Sequence, residues 1–294
     1  MTVSRLVPGV EIVAVPGQGV AVRTPDGDFL RVDTGEVAAE DLMTRLEGGA
    51  RGSAALEDLV LAFENAGYAG RDGELPLEGR TVHLLGDVNL TARLARRIAE
   101  EGADVRHAAP GEVAAMAENG AGRPAGATAA VVWCLDSPVG EGLWDAADRL
   151  PERGIGWLRC HREGFQAWIE PLAAAPGDVT SRDVRLRRLA ATAAHRELTA
   201  YWAGNRTAET GAAGGEASAA LLAELLTADL VAWAGGRHRA GRLPVRRRLR
   251  RVDLRDLTVT EHPVLPVPPV APLPRTAATA AGTSGAAGRR GGAR

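Results

Sequence analysis

The stretch from Thr81 to Glu101 constrains this chain more than any other. Thr81–Leu85 (TVHLL) is a short apolar run of strand type, and Leu90–Glu101 (LTARLARRIAEE) follows it with a helical, amphipathic pattern. The turn between them is Gly86-Asp87-Val88-Asn89. Such a turn cradles nucleotide phosphates when it reads G-x-G-x-x-G, because glycines let the backbone approach the phosphates and let helix and strand pack closely. Here only Gly86 is kept. Val88 and Thr91 crowd the other two positions, and Asp87 repels a phosphate from a helix N-terminus that would otherwise attract it. Asn89 is the expected N-cap of the helix. The unit predicts a degenerate Rossmann-like α/β domain that binds or scaffolds rather than catalyses, with no catalytic residue and no cofactor.

Charge and cysteine content narrow the partners. All 35 basic residues are arginine, which excludes every mechanism that needs a lysine, such as a P-loop or a Schiff base. Residues 1–79 carry fourteen acids against six arginines, about −8, and residues 235–294 carry thirteen arginines against three acids, about +10. Cys134 and Cys160 are too few for a disulfide framework and suit buried strand positions. Cys160 and His161 are adjacent, so on a regular strand they face opposite ways and cannot act as a nucleophile–base pair. His83 reads as a hydrogen-bonded core histidine, and Asp136 as structural. No run approaches eighteen apolar residues, so the expectation is a soluble, cytoplasmic protein without membrane contact.

Periodicity divides the chain. Residues 1–70 read as a small winged-helix-like module: strands Val10–Val15, Gly19–Arg23 and Asp28–Val32, then helices Val37–Leu46 and Ala54–Ala66. Residues 71–76 read as a linker. From 77 to 274 strand alternates with helix: strands at Thr81–Leu85, Asp104–His107, Thr128–Leu135 and Gly156–Cys160, and helices at Leu90–Glu101, Pro110–Asn119 and Val139–Leu150. Ala130–Cys134 is apolar on both faces, as a covered parallel strand should be. Two more helices are expected at 182–203 and 216–234, then a strand at Leu257–Thr260 and an extended proline-rich stretch from Pro263 to Pro274. Residues 275–294 have the composition of a disordered tail.

The opening Leu6-Val7-Pro8-Gly9-Val10-Glu11, and the helix ending at Ala66-Gly67-Tyr68, resemble PqqD-like RiPP recognition elements. The α/β segment resembles the ThiF-like proteins of azole-forming peptide clusters, relatives of ubiquitin-activating adenylyltransferases. Ile169-Glu170-Pro171-Leu172 with Pro176-Gly177 is similar to that family's GPLV-x-PG, and His262-Pro263-Val264-Leu265-Pro266 to its HPVLPHPRCPVC. The resemblance implies a protein that binds a precursor's leader peptide and presents it to a YcaO-type cyclodehydratase, as in thiopeptide or linear azoline pathways. Many members also carry two C-x-x-C pairs, the ligand set of a structural zinc. Those positions here are Ser181 and Val184, then Val270 and Leu273, which supply no thiolate, so no metal is expected. Apolar packing of Val270 and Leu273 against the helix beginning near Ser181 would compensate.

For the peptide, the reading is β-augmentation: the leader adds to the edge strand Asp28, Phe29, Leu30, Arg31, Val32, Asp33 and lies against Leu59, Ala62 and Ala66 of the second helix. The bland alternative is a module that merely caps the α/β domain. DNA binding is rejected because a module at about −8 repels phosphates. The basic residues Arg246, Arg247, Arg248, Arg250 and Arg251 are assigned to a partner enzyme's acidic face rather than to nucleic acid, since no aromatic lies among them for base stacking. The alternative from another class is an active ATP-dependent adenylyltransferase of ThiF type. A homodimer is allowed.

Overall fold

The computed structural model describes residues 4–71, 75–119, 129–207, 215–236 and 242–268. The N-terminal module contains β1 (Ser4–Leu6), β2 (Glu11–Val15), β3 (Gly19–Arg23), β4 (Phe29–Val32), α1 (Ala39–Leu46), α2 (Ala54–Asn65) and β5 (Ala69–Arg71). β2, β3 and β4 form an antiparallel sheet in that order, with β4 at an edge. The side chains of Val20 and Val22 leave one face of β3 and meet Leu42, Leu46, Leu56, Val60 and Phe63 of the two helices. The Ser53 hydroxyl caps α2 by accepting from the Leu56 amide. Arg45, nearly buried, clamps α1 to α2 through two hydrogen bonds to Glu57, at 2.9 and 3.1 Å.

Two expectations change here. The linker expected over residues 71–76 overlaps the end of β5, which pairs antiparallel with β1. Neither strand has enough length for a periodic signal, so the ribbon is illegible locally. Asp28 and Asp33 flank β4 rather than belong to it: Asp28 closes a turn with Thr24, and the Asp33 carboxylate accepts from the Gly35 amide.

The second part contains β6 (Thr81–Gly86), α3 (Val88–Glu100), β7 (Asp104–His107), α4 (Pro110–Asn119), β8 (Ala129–Cys134), β9 (Ile155–Glu163), β10 (Gln166–Ile169), α5 (Ser181–Ala190), α6 (His195–Trp202), α7 (Glu216–Ala234), β11 (Arg248–Asp253) and β12 (Thr258–Pro263). The seven strands lie in the order β12-β11-β10-β9-β8-β6-β7. β7, β6, β8 and β9 are parallel, and β9 through β12 run antiparallel. The fold is therefore mixed α/β. β8 is buried along its whole length. Its residues Ala130, Val132 and Cys134 join Leu94 and Ile98 of α3 and Leu226 and Leu230 of α7 on one face. Ala129, Val131 and Trp133 join α4, Trp144, Leu150 and Trp157 on the other.

Several element expectations are corrected. No helix forms over Val139–Leu150; the chain makes turns and then a 3-10 stretch, Ala147–Arg153, because Gly140 and Gly142 interrupt the pattern and Gly142 takes a positive φ. The single helix expected over 182–203 is two, α5 and α6, separated at 191–194, where the Thr192 hydroxyl accepts from the Ala194 amide. β10 and β11 were not anticipated. α7 has the length and apolar composition to cross a membrane. Here its apolar side packs on α3 and the sheet, and Arg93–Glu216 and Arg97–Glu224 ion pairs tie the two helices together.

Candidate functional site

Gly86 ends β6 with φ +107°. A Cβ there would sit 1.7 Å from the Cys134 carbonyl oxygen, which instead accepts from the Asp87 amide at 2.8 Å. Close strand packing and the positive φ together demand a glycine at this position. Asp87, not Asn89, is the N-cap of α3. Its carboxylate accepts from the Asn89 amide at 3.1 Å, and the Thr91 hydroxyl donates to its carbonyl at 2.8 Å. A negative side chain of the protein occupies the place where the helix dipole would otherwise hold an anion. Val88 beside it is 72% exposed.

An open cleft of about 870 Å³ lies over the carboxyl ends of β6, β8 and β9, where α/β sheets usually bind ligands. Arg93, Arg96, Asp136, Cys160, Leu222 and Leu254 are among the residues lining it. Cys134 and Cys160 stand in register on β8 and β9, both free and buried. Contact with the Cys160 thiol and burial push the Cys134 thiol up. His161 is buried apart from the sulfurs, 5.7 Å from Trp144 by ring centres. His83, on β6, is not without an interaction partner.

Sequence reasoning missed a buried ionic cluster behind this sheet. The fully buried Arg159 guanidinium reaches Glu170 at 2.9 Å and Asp148 at 3.1 Å, and it donates to the Pro171 and Val179 carbonyls. Asp148 also accepts from the Trp157 indole and from the amide and hydroxyl of Ser181. Glu163 is gripped by Arg188 at 2.6 and 2.9 Å and accepts from the Trp202 indole at 2.6 Å. Burial opposes ionisation of Glu163, but hydrogen bonds from His161 and Arg188 outweigh it and hold the carboxyl far below the usual carboxylate range. Burial pushes the Glu170 carboxyl up, against the opposing charge of Arg159. Alternating Arg159, His161 and Glu163 on one strand was the available signal.

The residues matched to the zinc pairs are placed as follows. Ser181 is hydrogen-bonded to Asp148, and Val184 is buried with Val179, Leu249 and Val264. Val270 and Leu273 lie outside the described residues, as does 275–294. The adjoining segment does run along α5: Arg187 donates to the Leu265 and Pro266 carbonyls, and the Val267 amide to Asp183.

The assignment of the basic stretch to a partner surface is corrected for two residues. Arg248 and Arg250 are buried on β11, both paired with Asp229 of α7, and Arg250 also with Glu261 at 3.0 Å. Arg246 pairs with Asp178, and Arg251 lies 5.8 Å over the Trp168 ring. Arg247 has a buried nitrogen without a hydrogen-bond partner. In the module, Phe29 and Leu30 are exposed on β4, Arg31 donates to Gln18, and Val32 packs into the core. Ala62 and Ala66 are exposed at α2, whereas Leu59 packs against the core.

A mixed seven-stranded sheet, with α3 and α7 on one face and α4 on the other, defines the class as a mixed α/β fold. The chain resembles a heterocyclase solved with substrate and cofactor (TM-score 0.61, 14% identity, 90% of this chain and 39% of that one). It also resembles the heterocyclase TruD (TM-score 0.54, 15% identity, 90% and 41%) and E. coli MccB (TM-score 0.50, 11% identity, 91% and 95%). The chain spans about two-fifths of the length of the two heterocyclases. No family model and no curated protein matches the sequence.

Proposed function

We propose that this protein binds the leader peptide of a ribosomally made precursor and presents it to a YcaO-type cyclodehydratase, which turns Cys, Ser and Thr into azolines. The observation that carries the reading is β4, an edge strand with Phe29 and Leu30 exposed on a self-contained module. Such an edge offers main-chain donors and acceptors to an extended peptide, and the exposed side chains supply specificity. The fold shared with heterocyclases supports the setting, and the resemblances in the sequence name the partner. The protein acts without adenylyl transfer, cofactor or zinc. Asp87 at the N-terminus of α3 speaks against the adenylyltransferase alternative, because it sets a carboxylate where a phosphate would sit.

Fluorescence polarisation with a labelled leader, taken from a precursor gene neighbouring this one, tests the reading. Leu30→Pro removes a strand N–H and should abolish binding. Ala62→Glu or Ala66→Glu should weaken it about a hundredfold, since a carboxylate placed in an apolar contact costs a few kcal/mol. Circular dichroism separates these effects from misfolding. Wild-type protein that ignores the leader, with and without the cyclodehydratase, would reduce the module to a structural cap. ATP–pyrophosphate exchange by the isolated protein, abolished by Gly86→Trp, would establish the adenylyltransferase instead. Stoichiometric zinc by elemental analysis would overturn the metal-free reading.

A further inference from the structure

Between the loop 139–145, α5 and α6 lies a second cavity, of about 220 Å³, the size of one side chain or a small organic acid. His161 and Glu170 line it, and Trp144, Arg182, Arg185 and Trp202 stand around it. We propose that this cavity binds a single carboxylate group, held by the Trp144 indole N–H and the Arg185 guanidinium.

The cavity wall carries a buried indole donor with nothing to accept from it. Trp144 is 2% exposed and its Nε1, which can only donate, has no hydrogen-bond partner. His161 is 3% exposed; with its Nε2 donating to Glu163, its Nδ1 is an acceptor, and it is without a hydrogen-bond partner 3.6 Å from the nearest Glu170 oxygen, as is Glu170 Oε2. Buried polar groups are normally hydrogen-bonded, so the orphaned Trp144 indole N–H on the cavity wall calls for an acceptor. Arg185 stacks on Trp202 at 4.7 Å, and neither it nor Arg182 forms an ion pair among the described residues. Arg188, by contrast, is already neutralised by Glu163.

The acids nearby do not defeat the proposal. Burial favours the neutral form of Glu170, and Arg159 faces whatever charge it carries. Glu141 and Asp145 are exposed on the loop, where water screens them, yet they set a limit. They disfavour a doubly charged phosphate and leave a monoanion as the fitting ligand. A planar carboxylate also matches the guanidinium fork. This inference is independent of the leader-binding reading, whose probes fall on β4 and α2.

Titration of the full chain, followed by tryptophan fluorescence and by calorimetry, tests it. The probes are N-acetyl-Ala-Glu-Ala-amide, N-acetyl-trialanine with a free C-terminus, glutarate, the Gln analogue of the first peptide, and inorganic phosphate. The first three distinguish a peptide side chain, a peptide C-terminus and a free acid. At least one should bind saturably and about tenfold more tightly than the Gln analogue. Arg185→Gln and Trp144→Phe should each weaken it about tenfold. Three results would overturn the proposal: no saturation by any carboxylate up to about 10 mM, which is weaker than specific recognition and means a cavity holding only water; equal binding of the Gln analogue; or tighter binding of phosphate. Should Trp144→Phe compromise folding, Arg185→Gln decides: unchanged affinity in that variant also overturns the proposal.

Discussion

A methyl group on residue 86 would overlap the backbone of the neighbouring strand, so Gly86→Ala cannot be absorbed by a rotamer change. With the positive φ added, it should cost about 3 kcal/mol or more in urea unfolding. Asp87→Ala removes only the helix cap and should cost about 1 kcal/mol. A mild Gly86→Ala would refute the strand-packing account of that glycine. Glu163 makes a pH prediction. Its folded pKa is depressed, so its contribution is fully present above its unfolded value near about 4.3 and is lost as pH falls through the folded value. Glu163→Gln should therefore flatten the fall in stability between about pH 5 and pH 2, as read from urea midpoints. Glu170 acts with the opposite sign: its raised pKa favours the fold as pH falls. The strand–turn–helix unit at Thr81–Glu100 was legible because its apolar strand run and amphipathic helix are local patterns. The cap was misread because Asp87 and Asn89 are both good capping residues, and only the observed backbone chooses between them.

At the scale of elements, β8 could be read from its apolar run, whereas β11 looked like a surface. Arg248 and Arg250 are buried only because Asp229 lies on α7, and no local pattern announces so distant a partner. The same distance explains Arg159, whose partners come from the 3-10 stretch and from the segment after β10. β10 did carry a signal, since Ala167 and Ile169 are buried while Gln166 and Trp168 are less so, but four residues are too few to outweigh competing patterns. The α5–α6 break has no glycine or proline to mark it. Asp229→Ala would leave two buried guanidinium groups short of their counter-charge and should destabilise by about 3–5 kcal/mol in urea titrations. Joint replacement of Asp229, Arg248 and Arg250 by Leu should recover much of that loss, because the buried charges then vanish together. If Asp229→Ala proves neutral, the ion pairs are not what fastens α7 to β11.

At the scale of the molecule, the apolar residues of 6–69 form one cluster, and those from Leu77 onward form others. Deleting residues 1–74 should therefore leave a chain that melts cooperatively and keeps its helical circular dichroism, while losing leader binding. Loss of the cooperative transition would mean that the second part depends on the module for its fold. The sequence itself changes pattern there, from a hairpin with two helices to alternating strand and helix. The antiparallel half of the sheet was not legible, because it is assembled from short strands and from an arginine-rich stretch.

The β1–β5 ribbon has a consequence for how the module can be moved. Ser4 stands opposite Arg71, so the two ends of the module leave side by side, one strand spacing apart, about 4.8 Å. A unit closed in this way should transfer as a cassette into a tight surface turn of an unrelated host without spacers, as a cooperative melt of the fusion would check. The host then needs only two neighbouring attachment points, and the ribbon seals the graft.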